Sequence, residues 1–197
     1  EPYSKSTHRV PEIQLPNKIK GFLDYKRVLE TYFLKGKLGQ NPNLFSLLVE
    51  DLLADHTISS SSGGVATVSL INEWNRLKNP IYNLDRRSKA HKTAVAELSA
   101  FESILKQLLT QVFSESKKII THYFDPKLDV NVSVSNMVMD YISWEVKQEI
   151  FLEVSYAGKN ITSYDTILNE ARLSAIGITI FLASLKTYPV DATDLRV

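Results

Sequence analysis

A chain of 197 residues, 44% of them apolar, suits one domain, or one large domain with an appended arm, that buries a real core. Its 23 lysines and arginines stand against 22 acids, so no global charge demands nucleic acid or a membrane surface, and any basic contact must be local. The absence of cysteine excludes disulfides, thiolate metal sites and cysteine nucleophiles together, and it fits the cytosol.

The start is polar and lacks the apolar core of a secretory signal. Residues 1–16, with Pro2, Pro11 and Pro16, read as an extended lead-in. Phe22, Tyr25, Val28, Leu29, Tyr32 and Phe33 recur at helical spacing, and Gly36 and Gly39 end that helix. Pro42 opens a second helix through Leu44, Phe45, Leu47, Leu48, Leu52 and Leu53. Residues 59–64 (SSSSGG) have the composition of a flexible loop. Leu70, Ile71, Trp74 and Leu77 then mark a short amphipathic helix, stopped at Asn79-Pro80, with Trp74 as a core anchor.

The longest predicted helix runs from about residue 86 to about residue 123, with Asp85 as its cap. Leu98, Phe101, Leu105, Leu108 and Val112 alternate steps of three and four. That spacing is too short-lived for a coiled coil and suits a helix lying along a helical lobe. After Asp125-Pro126 the period changes to two. Leu128, Val130, Val132 and Val134 predict a half-buried strand, and residues 149–156 a further one pairing antiparallel with it. Residues 137–146 fit either loop or strand, and 157–160 read as a turn. The last helix, about residues 169–186, is apolar on most faces and should be buried. Its run from 175 to 185 falls short of the roughly 18–20 residues that cross a membrane. The fold class is α+β and mainly helical, divided as 1–126 (lobe and arm) and 127–197 (strands and final helix).

Few residues announce chemistry. No Gly-x4-Gly-Lys-Ser/Thr phosphate loop is present, since Gly158-Lys159 is followed by Asn160 and belongs to a turn. His8, His56, His91 and His122 lack metal-ligand spacing, and no catalytic set emerges from sequence order. Asp24, Glu50, Asp51 and Asp55 read as solvated surface. Arg86, Arg87, Lys89, His91 and Lys92 form a basic cluster. They are either a solvated face or a contact for nucleic acid, and Lys117 and Lys118 pose the same choice. Tyr141 and Trp144 suit core packing more than base stacking. The segment 167–188 (ILNEARLSAIGITIFLASLKTY) begins with a cappable polar turn and becomes apolar. On its own it is a buried helix with an asparagine cap.

That segment resembles the signature segment of ABC-type/AAA ATPase heads, in the branch of structural-maintenance-of-chromosomes, RecF-like and RecN-like proteins. Leu168 matches the motif's leucine, Asn169 stands for its serine and Glu170 fills the variable place. Ala171 replaces glycine, Arg172 replaces glutamate or glutamine, and Ser174-Ala175 follow. A looser resemblance covers residues 21–25 and 42–48 and the order of the long helix and strands. It points to bacterial ATPases associated with defence against phage.

The resemblance implies a signature lobe with a shortened arm. Such a segment lies between the phosphate loop and the strand bearing the magnesium-binding acids, toward which Asp194-Leu195-Arg196-Val197 would lead. Asn169, Glu170, Ala171, Arg172 and Ser174 would then meet ATP held by a second head. ATP and magnesium would be bound mainly by residues outside this chain, so the segment alone would not be an ATPase. A homodimer or higher oligomer, an effector subunit and DNA at Arg86, Arg87, Lys89 and Lys92 are the implied partners, without a membrane. Two other readings stand beside it: a helical protein-interaction domain without nucleotide, and a nucleic-acid module using residues 86–92.

Overall fold

The structure is a computed structural model and describes residues 43–62, 67–78, 85–141, 145–162, 168 and 170–187. The expected lead-in, the helix at 22–33, Asp24, Gly63-Gly64, Trp144, Asn169 and the stretch 194–197 lie outside these residues. The first described element, α1 (Ser46–Leu52), is wound with the wide π spacing, Leu53 N–H reaching the Leu48 carbonyl at 3.0 Å. It buries Leu47, Leu48 and Val49 in succession, more of its girth than an α-helical stripe. Asn43 fixes its approach. The carboxamide oxygen accepts from Phe45 N and Ile150 N, each at 3.0 Å, and its amide donates to the Gln148 carbonyl at 2.8 Å.

Strands β1 (Thr57–Ser59) and β2 (Thr67–Ser69) form an antiparallel pair that leads into α2 (Leu70–Lys78). Helix α2 buries Leu70, Trp74 and Leu77 of the expected apolar face, with Ile71 half-buried, and adds Glu73, which the spacing does not single out. Trp74 is the anchor the periodicity predicts. Its ring lies 4.8 Å from Phe45, edge-on, and 6.0 Å from Phe101, stacked, while Nε1 donates to Glu50 at 3.2 Å.

The long helix α3 spans Lys89–Tyr123, 35 residues and roughly 50 Å. It begins three residues later than the sequence suggests, and its cap is Ser88, not Asp85. The Ser88 hydroxyl accepts His91 N at 3.0 Å, which meets an orphan donor of the first turn. The Asp85 carboxylate instead accepts Arg87 N at 2.9 Å in a preceding turn. Arg86 and Arg87 are thereby left outside the helix, where they oppose its dipole less. Leu98, Phe101, Leu105, Leu108 and Val112 are all buried.

Strand β3 (Leu128–Val134) pairs antiparallel with β6 (Ile150–Tyr156), in register from Leu128↔Tyr156 to Val134↔Ile150, and β7 (Lys159–Ile161) adds the far edge. Between them, β4 (Val138–Asp140) and β5 (Glu145–Lys147) turn the ambiguous region into a second hairpin that buries Met139 and Val146. Glu102 of α3 anchors it by accepting Met137 N at 2.8 Å. The last helix, α4 (Glu170–Thr187), and β3 both pack against α3. The fold is therefore α+β, with small antiparallel sheets and one long helix. Among the described residues, no helix is long and apolar enough to cross a membrane.

The β6–β7 turn is Ala157-Gly158, both at positive φ (50° and 77°), as a two-residue hairpin loop with right-handed strands favours. Alanine is strained there, whereas glycine is not. Ala157→Asn should raise stability by about 0.5–1 kcal/mol, and Gly158→Ala should lower it by a similar amount. Urea midpoints of the two variants check both signs, and equal midpoints would refute the turn assignment.

Candidate functional site

Helix α4 is held by an apolar stripe at helical spacing, in which Leu173, Ile176, Ile180 and Ala183 are buried. Ser116 of α3 donates to Thr179 at 3.1 Å within the buried interface, and Thr179 passes its hydrogen to the Ile176 carbonyl at 3.0 Å. That chain satisfies two hydroxyls which would otherwise weaken the core. Glu115 pairs with Lys186 and Lys118, and the lysines, Lys186 first, hold its carboxyl below the usual range. At the other end Asp125 pairs with Arg172. The contacts 115/186, 116/179 and 125/172 mean that α3 and α4 run antiparallel.

Leu168 and Leu173 are buried on either side of the start of α4, while Ala171 is exposed and Ser174 half-buried. Glu170 opens the helix. The first-turn N–H groups and the positive end of the helix favour an anion, although Ala171, in place of the motif's glycine, adds a methyl group to that approach. Arg172 does not extend freely from this turn. Its Nε donates to Asp125 at 3.2 Å and Nη2 to the Tyr156 hydroxyl at 3.0 Å, with the guanidinium 4.7 Å from the Tyr156 ring centre. The Lys127 N–H, then Arg172, keep the Asp125 carboxyl below its ordinary pKa. Within this chain, then, the cation at the motif's fifth position meets an acid.

The basic cluster divides. The Arg86 guanidinium lies 3.4 Å from the Tyr141 ring centre, and the Tyr141 hydroxyl and His91 Nε2 are 3.0 Å apart with His91 buried. Arg86 and His91 thus join the start of α3 to the β4–β5 hairpin. Arg87, Lys89 and Lys92 are exposed. Lys89 lines an open groove of about 450 Å³ with Arg76, Leu77, Thr93 and Glu97. Lys117 pairs with Asp129 at 2.8 Å and Lys118 with Glu115 at 3.2 Å.

One cluster escaped the sequence reading. Glu73 is 1% exposed and collects Ser61 N at 2.7 Å, Ser61 Oγ at 2.6 Å and Ser60 Oγ at 3.3 Å, together with Arg76 Nε at 3.0 Å. Arg76 also reaches Glu97 at 2.7 Å. Arg76, followed by the Ser61 donors, outweighs burial and holds the Glu73 carboxyl at about 2, against an ordinary 4.5. Ser60–Ser62, expected to be part of a flexible loop, are pinned here because a buried carboxylate needs donors. The spacing of Glu73 and Arg76 by three on a helix was the available signal.

Among the described residues, no group of three His, Asp or Glu side chains is placed to hold a metal ion. In comparisons with known proteins, no family model matches the chain, and neither curated proteins nor solved structures provide a match.

Proposed function

We propose that this chain is the signature-lobe segment of an ABC-type ATPase head, in which ATP is sandwiched between two heads and coupled to DNA or to an effector, as in defence against phage. One observation supports the reading above the others. The segment carrying the resemblance forms a helix whose body is buried against α3 and whose first turn is open at Ala171. Such a helix start favours a phosphate held by another head. Asn169 would add an amide donor, and the backbone N–H groups near Ala171 would face the anion. ATP would supply the free energy of head closure. Its phosphate loop, magnesium and catalytic acids would belong to sequence outside this chain.

The test is ATP-dependent dimerisation of the full-length protein. ATP is expected to promote the dimer in the wild type. Asn169→Asp should raise the ATP needed by about tenfold or more, because it places a like charge beside the phosphate. Unchanged dimerisation in Asn169→Asp would mean that this helix start never meets nucleotide.

A further inference from the structure

Arg172 belongs to the first turn of α4 and reaches from there to Asp125 and Tyr156. Asp125 sits in the turn that ends α3, and Tyr156 is the last residue of β6. These two places already form one stitched unit. Asp125 N–H returns to the Ile120 carbonyl at 3.1 Å, Leu128 N–H to the Asp125 carbonyl at 3.1 Å, and Ala157 N–H to the Lys127 carbonyl at 2.8 Å. Arg172 attaches α4 to that unit through an ion pair, a hydrogen bond and a cation–π contact.

The ion pair is partly exposed, 36% at Arg172 and 22% at Asp125, with Nε 3.2 Å from the carboxylate. Pairs of this kind add little to global stability. Contacts of different chemistry, however, hold one guanidinium in position. The arrangement suits orientation better than strength.

We infer that Arg172 is a positioning residue, clasping the start of α4 to the end of the long helix and to β6 so that these elements move together. Its consequence for nucleotide rests on the signature reading above: the helix start offered to the second head would follow any movement of α3. Arg172 then shapes the anion site without binding the phosphate itself.

Two measurements decide this. The first is hydrogen exchange of the 197-residue chain in Arg172→Ala, Arg172→Lys and Asp125→Asn. The N–H groups of Ser174, Ala175 and Ile176 bond to carbonyls of the first turn, so they report its opening. They should exchange roughly three- to tenfold faster in Arg172→Ala and less so in Asp125→Asn. Arg172→Lys should rescue only in part, since lysine keeps the charge and loses the planar fork. Exchange at Ile180 and Ala183 should stay constant, which a general loss of structure would not allow. Unchanged exchange at 174–176 overturns the clasp.

The second is ATP-driven dimerisation of the full-length protein. For a positioning role, Arg172→Ala and Asp125→Asn both raise the ATP required, and the double variant is no worse than Arg172→Ala. If Asp125→Asn instead eases dimerisation while Arg172→Ala abolishes it, Arg172 is the phosphate contact and the inference fails. Faster exchange in a protein that never dimerises with ATP keeps the clasp and sinks the signature reading.

Discussion

Trp74→Ala is expected to lower folding stability by about 3–5 kcal/mol, the usual result of emptying a buried large aromatic site. Trp74 is 2% exposed and stands where α1, α2 and α3 meet, between Phe45 and Phe101. Neither ring can fill the space without leaving its own contacts, because the interior is close-packed. The loss also removes the donor to Glu50. Against a typical margin of roughly 5–15 kcal/mol, this places the variant near unfolding. Urea denaturation checks it. A lower midpoint with an unchanged slope is expected, and a loss under about 1 kcal/mol would remove Trp74 from its role as anchor. Trp74→Phe, which keeps a ring, should cost distinctly less.

The second large effect is a dependence on acid. Glu73 has a folded pKa of about 2 and an ordinary value of 4.5. Between these values the unfolded chain binds the proton and the folded chain does not, so stability falls as pH falls from about 4.5 to about 2. The shift corresponds to at most about 3 kcal/mol, present in full above pH 4.5. Solvent screening reduces it, since the partner Arg76 is 41% exposed. Glu73→Gln should therefore be less stable at neutral pH, by about 1–3 kcal/mol, and its stability should change less on acidification. Unfolding free energies of both proteins from pH 7 to pH 2.5 give the comparison. Parallel pH profiles would show that Glu73 is not held by its donors.

Both sites bear on what could be read from the chain. The stripe at Leu70, Trp74 and Leu77 and the alternation from Leu128 to Val134 were legible, because burial acts through local period alone. The cap of α3 was not, since Asp85 and Ser88 have similar capping chemistry and three-dimensional turn geometry chose between them. Nor could composition reveal the order of Ser60–Ser62. Serines look flexible until a buried carboxylate from another element arrives, and that arrival is tertiary. For the candidate site, the helix start near Ala171 followed from the apolar run after it. The destination of Arg172 did not, as Asp125 lies 47 residues away in sequence. The hairpin at Tyr141 was hidden similarly, its strands being only three residues each.

The length of α3 has a mechanical consequence. The rod is held near one end through His91 and Tyr141 and near the other through Asp125 and Arg172. Helices of this kind curve gently, and sharp kinks need a cause such as proline or a π-bulge. Pivoting about the His91 end by about 5° would carry the far end through roughly 4 Å, given 1.5 Å of rise per residue. That displacement is comparable to a hydrogen-bond length plus a side-chain shift. A slight angular change at the β4–β5 hairpin would thus become a linear displacement at the far end of the helix.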